Sequence, residues 1–120
     1  MKYYTPTPEE FHIGFEYENK LVDGYWQWHG ETEKVVFTKG TNLEGIIDYP
    51  NLVRVKHLDR EDIESFGFIK RKNDYLLQGR CSLMISNSKI TITKNSGILF
   101  WGTIKNKSEL KRILTQIGVV

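Results

Sequence analysis

The sequence predicts an α+β fold: a curled antiparallel sheet, a roll or partial barrel, with one short internal helix and a C-terminal helix. Three observations predict it. Strand-favouring residues are plentiful, with six Phe, six Tyr and three Trp in 120 residues beside many Ile, Val and Thr; such side chains suit a pleated, half-buried surface. Short alternating runs are separated by turn formers such as Asn87-Ser88 and Asn95-Ser96-Gly97, as in a meander. Near the end, Leu110, Ile113, Leu114 and Ile117 fall at i, i+3, i+4 and i+7, which is one face of a helix.

Taken in order, Thr7, Pro8 and Glu10 form a capping box with proline at the first helical position, enough for one turn. His12 to Glu18 then reads as a strand with Phe15 and Tyr17 on one face. Asp23-Gly24 is a turn pair that starts a hairpin into a second strand, Tyr25 to His29. Lys34 to Thr38 is a third strand. Residues 39–51 contain Gly40, Asn42, Gly45 and Pro50, which predicts a long loop around a short Ile46-Ile47 strand. Leu52 to His57 alternates, with Val53 and Val55 opposite Arg54 and Lys56. Leu58 to Gly67 is the short helix: Asp59 caps it, acids fill its first turns, and Gly67 stands at a left-handed stop. Phe68 to Lys72 and Tyr75 to Ile85, the latter bent at Gly79, lead into the clean alternation Lys89 to Thr93. Ile98 to Ile104 is apolar on both faces, the pattern of a central, covered strand. Ser108 caps the final helix and Gly118 ends it, so the helix should lie across the sheet.

The length fits a single domain over 1–120, able to bury roughly two-thirds of its unfolded surface. A 39% hydrophobic and 27% charged composition is that of a globular chain. Cys81 is the only cysteine, which rules out an internal disulfide and favours a reducing compartment. The opening MKYYTPTPEEFH has no apolar core, so it does not read as a signal peptide. The strongest apolar run, Ile98 to Trp101, falls far short of the ~20 residues of a spanning helix. A soluble, cytoplasmic protein is expected.

Catalytic chemistry is hard to assemble. His12, His29 and His57 lie in separate strands, and no HExxH, CxxC or glycine-rich phosphate loop is present. His57 and Asp59 lie close in sequence, but a strand-end histidine beside a helix cap accounts for them. Cys81 lies in an apolar strand and reads as an inert buried thiol. Glu16 and Glu18 share a strand face, where a solvated edge is the simpler account than a hydrolytic carboxylate pair. No cofactor and no metal are expected. Trp26 and Trp28 also share a face. Core packing is the first account of the pair; stacking of bases or anchoring of a partner, with Tyr25 beside them, is the second.

Charge is the informative feature. Residues 1–67 hold 7 Lys/Arg and 13 Asp/Glu, a net of −6, while residues 68–120 hold 10 and 2, a net of +8. Such asymmetry points to charged partners unless the halves interleave in space. The candidate basic surface is Lys70, Arg71, Lys72, Lys105 and Lys107; the candidate acidic surface is Glu61, Asp62 and Glu64. The first would suit phosphates and the second a basic protein groove.

Two stretches, YTPTPEEFHIGFEYE and VRVKHLDREDIESFGF at 53–68, resemble small proteins encoded by bacteriophages and prophages of Bacteroidota-type bacteria. The resemblance implies a mobile-element origin and carries no family activity with it. It makes the leading expectation a non-enzymatic phage protein that binds a host protein or ribonucleoprotein, an anti-defence or anti-CRISPR-type inhibitor. Direct binding of RNA or single-stranded DNA and a minor virion component are the alternatives. An enzyme such as a nuclease would need a carboxylate–metal cluster that the sequence does not assemble.

Overall fold

A computed structural model of the chain describes residues 2–119. The fold is α+β, with antiparallel sheets and a C-terminal helix, as the sequence predicts. The described residues cluster into two compact units that meet in sequence at His57 and Leu58. Each has its own open sheet and its own buried cluster.

The first unit runs through β1 (Tyr3–Tyr4), a 3-10 turn (Pro8–Glu10), β2 (Glu16–Val22), β3 (Trp28–Val36), α1 (Leu43–Asp48), a second 3-10 turn (Pro50–Leu52) and β4 (Val53–Lys56). Its strand order is β1-β4-β2-β3. The capping box forms, with the Thr7 backbone N–H donating to Glu10 Oε2 at 2.6 Å, and the turn is closed separately by the Glu10 N–H on the Thr7 carbonyl at 3.1 Å. Phe15, Tyr17, Val53 and Val55 are buried together, with Phe11, Val35, Phe37 and Ile46 packed on them. The Phe11 ring meets Phe15 and Tyr17 edge-on at 5.0 and 5.2 Å, a favoured aromatic geometry.

Three local expectations change here. The strand foreseen from His12 begins at Glu16, because Gly14 turns the chain at φ +94. The strands expected at Tyr25–His29 and Lys34–Thr38 are one strand, β3, running through Gly30 at φ +97. The expected Ile46-Ile47 strand is helix α1 instead. Asn42 caps it, its Oδ1 accepting from the Gly45 N–H at 3.2 Å, and Ile46 is turned into the cluster.

The second unit comprises α2 (Arg60–Glu64), β5 (Ile69–Lys70), β6 (Tyr75–Leu77), β7 (Cys81–Ser86), β8 (Lys89–Lys94), β9 (Gly97–Gly102) and α3 (Lys107–Gln116). The five strands follow one another in sheet order. Leu83 and Ile92 of the sheet share one core with Leu110 and Leu114 of α3 and with Ile63 of α2, so the C-terminal helix does cover the sheet. Asp59 caps α2 by accepting from the Asp62 N–H at 2.9 Å, and Gly67 takes a left-handed φ of +96. Both turns flanking β8 have two consecutive left-handed residues, Asn87-Ser88 and Asn95-Ser96, which is the hairpin turn that matches strand twist.

Corrections fall here as well. Gly79 (φ +73) does not bend one long strand; it lies in the turn that separates β6 from β7. Asn106, not Ser108, caps α3, its Oδ1 accepting from the Glu109 N–H at 2.8 Å. The largest difference concerns β9. It is an edge strand, not a central one, and Ile98 and Trp101 are 68% and 65% exposed.

Candidate functional site

The β2–β3 hairpin of the first unit ends in a turn organised by one side chain. Asp23 Oδ1 accepts from the backbone N–H groups of Tyr25 (2.8 Å) and Gln27 (3.1 Å), and Oδ2 lies 2.8 Å from His29 Nε2. The Trp26 N–H closes the turn on the Asp23 carbonyl at 3.0 Å. The hydrogen bond from His29, followed by those from Gln27 and Tyr25, holds the Asp23 carboxyl below the usual aspartate range. The turn forces Trp26 to φ +61, a conformation that glycine or asparagine would take without strain.

This backbone path breaks the strand parity read from the sequence. Trp26 and Trp28 are not core residues: Trp26 is 62% exposed, Trp28 37% and Tyr25 90%. The Trp26 indole lies flat on Tyr49, ring centroids 5.0 Å apart and planes 12° apart. Tyr49 caps the C-terminal end of α1. Tyr49 also lines an open cleft of about 530 Å³, together with Lys20, Glu33, Asn42, Ile46 and Val53.

A second group of rings and cations occupies the sheet face turned away from the buried cluster. The Arg54 guanidinium sits 3.7 Å over the Tyr3 ring and 5.4 Å from that of Trp28, and Lys20 Nζ lies 4.6 Å over Trp28. Arg54 also pairs with Glu18 at 3.1 Å, and Thr32 Oγ1 donates to the same carboxylate at 2.8 Å. Burial pushes the Glu18 carboxyl up, but the Thr32 and Arg54 hydrogen bonds and the charges of Arg54 and Lys34 outweigh it and hold it below its ordinary value. Trp28 is fixed by its own indole N–H, which donates to the Glu31 carbonyl at 2.7 Å. The hairpin thus presents rigid, oriented aromatics at low cost in side-chain freedom.

The basic and acidic residues singled out from the sequence all lie in the second unit. Lys70 and Lys72 are exposed in the β5–β6 hairpin, with Lys70 Nζ 5.0 Å over the Tyr75 ring. Arg71 makes a bidentate pair with Asp74, at 2.7 and 2.6 Å, inside that hairpin. Lys105 and Lys107 flank Asn106, the cap of α3. Of the acidic trio, Glu61 is exposed and Glu64 pairs with Arg60 at 2.7 Å, whereas Asp62 is buried in the capping box of α2. Asp62 therefore offers no surface charge. At the boundary between the units the charge division is milder than between residues 67 and 68. Residues 1–57 hold 6 Lys/Arg and 9 Asp/Glu, net −3, and residues 58–120 hold 11 and 6, net +5, because the acids of α2 belong to the basic unit.

The histidines are engaged separately: His12 with the Glu10 carbonyl, His29 with Asp23, and His57 against the Tyr4 ring. Cys81 is buried, and that burial pushes its thiol pKa up against a smaller lowering by Lys94, which suppresses the reactive thiolate. Among the described residues no three His, Cys, Asp or Glu side chains gather to hold a metal, and no helix is long and apolar enough to cross a membrane. Tyr49, Tyr3 and Arg54 escaped the sequence reading. Arg54 was detectable, since it alternates with buried Val53 and Val55; the Trp26–Tyr49 stack joins residues 23 apart and left no periodic trace.

No protein-family model matches the sequence, and no curated protein or solved structure matches it significantly.

Proposed function

We propose that the chain is a non-enzymatic binding protein that engages a partner protein, free or within a ribonucleoprotein, through the aromatic tip of the β2–β3 hairpin. The observation that carries this is the placement of Tyr25 and Trp26: both lie at the hairpin tip in solvent, one of them in a strained backbone conformation. Strain of this kind persists where the exposed group has a use. Tyr, Trp and Arg are also the residues that dominate binding energy at protein interfaces. The resemblance to phage-encoded proteins makes a host defence effector, in the bacterial cytoplasm, the expected class of partner.

A direct nucleic-acid binder would use the same rings to stack bases. The charge of the unit that carries them favours protein instead. A net of −3, with Asp23 at the tip and Glu33 in the cleft, repels phosphates, whose neutralisation supplies most non-specific affinity.

The test is a tagged pull-down from bacterial lysate, with and without nuclease, run beside a Tyr25→Ser/Trp26→Gly double variant. Retention of one protein after nuclease, lost with the variant, is the expected result. Partners that vanish with nuclease, or that the variant retains equally, would overturn the proposal.

A further inference from the structure

We propose that β9 is a docking edge for an extended, acidic strand of a partner protein, which would join the five-stranded sheet as its sixth strand. The surface is distinct from the hairpin tip and stands on separate residues.

Edge strands are normally blunted by charge, proline or cover, because their free backbone groups template further pairing. β9 reads Gly-Ile-Leu-Phe-Trp-Gly, with neither charge nor proline. Among the described residues its outer side has no neighbour in the sheet, and Ile98, Leu99 and Trp101 are exposed. The register aligns Trp101 with Thr91 and Met84 across three strands. Trp101 and Met84 are exposed on either side of half-buried Thr91, and with Ile98 they leave apolar surface uncovered from the open edge inward, a feature of interaction sites.

Charge selects the occupant. No carboxylate occurs between Asp74 and Glu109, while Arg80, Lys89, Lys94, Lys105 and Lys107 all do. The two lysines of β8 bracket β9. Lys94 pairs in register with Gly97 at one end. At the other, Lys89 Nζ sits 5.6 Å from the Trp101 ring and donates to Thr103 Oγ1 at 3.1 Å. A second copy pairing β9 with β9 would set lysine against lysine. Lys89 shares the face of Thr91 and Trp101 and Lys94 the opposite one, so a strand that alternates apolar and acidic residues would cover Ile98 and Trp101 with its apolar side chains and turn its carboxylates to the face of Lys94. Main-chain hydrogen bonds would supply affinity and the flanking charges its specificity.

The probes are fluorescein-labelled alternating Glu–Val and Lys–Val nonapeptides, titrated at ~50 mM salt and followed by anisotropy, with amide exchange read on β9. The wild-type protein should bind the glutamate peptide at least about tenfold more tightly than the lysine peptide and slow exchange within 98–102. Lys89→Glu/Lys94→Glu alters only exposed side chains and should reverse the preference. Equal binding of both peptides, no binding of either below ~1 mM, or protection away from β9 would overturn the proposal. So would a dimer of the free protein in sedimentation, since the strand would then belong to a second copy.

Discussion

Replacing Trp26 separates the strain at the hairpin tip from its use. At φ +61 an L-residue bears about 1–2 kcal/mol. Stacking on Tyr49, at 5.0 Å and 12°, returns about 0.5–1.5 kcal/mol. Trp26→Ala keeps the strain and loses the stack, so it should destabilise the first unit by about 1 kcal/mol. Trp26→Gly loses the same stack but sheds the strain, at an added unfolded-state entropy of about 0.5–1 kcal/mol. The glycine variant should therefore be more stable than the alanine variant by roughly 0.5–1 kcal/mol, or about 3 °C in Tm for a chain of this size. Thermal and urea unfolding followed by far-UV circular dichroism measures the difference. An alanine variant as stable as the glycine variant would refute the strain, and with it the claim that Trp26 is held outward against a backbone penalty.

Other consequences are open to direct measurement. Ser88 and Ser96, at φ +65 and +67, occupy the second position of turns that favour Asn-Gly; Ser88→Gly and Ser96→Gly should each stabilise the protein by about 0.5–1 kcal/mol, nearly additively, as read by urea midpoints. The Asp23 carboxyl should titrate below about 3.9 in carboxyl-carbon NMR. Because its folded pKa is depressed, its contribution to the turn is present above the unfolded value and is lost as pH falls through the folded one. Asp23→Asn keeps the acceptor oxygen for Tyr25 and Gln27 and should remove that acid step. Leu114, fully buried beneath the sheet of the second unit, should lose about 2–5 kcal/mol on Leu114→Ala, seen as a fall in the urea midpoint.

Local chemistry made much of the fold legible. Thr7 and Glu10, Asp59 and Gly67, and the Asn-Ser turns each act within a few residues, and each formed where the sequence placed it. The alternation of Val53 and Val55 with Arg54 survived into β4 because one face is buried. Elsewhere, short-range signals conflicted. Gly45 and two branched isoleucines argued against a helix at 43–48, yet the Asn42 cap and burial of Ile46 on the first cluster prevailed. An apolar run such as Ile98 to Trp101 looks alike whether neighbours cover it or not, since periodicity carries no information about sheet order. For the site, the parity of Trp26 and Trp28 misled because the Asp23-centred turn extends to Gln27 and resets which face each residue meets. Lys70 and Lys72 of the basic set are exposed, while the ion pairing of Arg71 and the burial of Asp62 in the α2 capping box depend on contacts that composition does not reveal.

The most direct test of the central claim compares two surfaces against the captured partner. Its Kd would be measured by calorimetry for the wild type, for Tyr25→Ser/Trp26→Gly, and for the charge reversal Lys70→Glu/Arg71→Glu/Lys72→Glu. An aromatic-tip interface predicts a loss of at least about 30-fold for the first variant, the scale of an interface hot spot. It predicts only a modest, salt-sensitive change for the second. Wild-type affinity in the tip variant together with abolished binding in the charge reversal would contradict the account and move the interface to the basic β5–β6 hairpin.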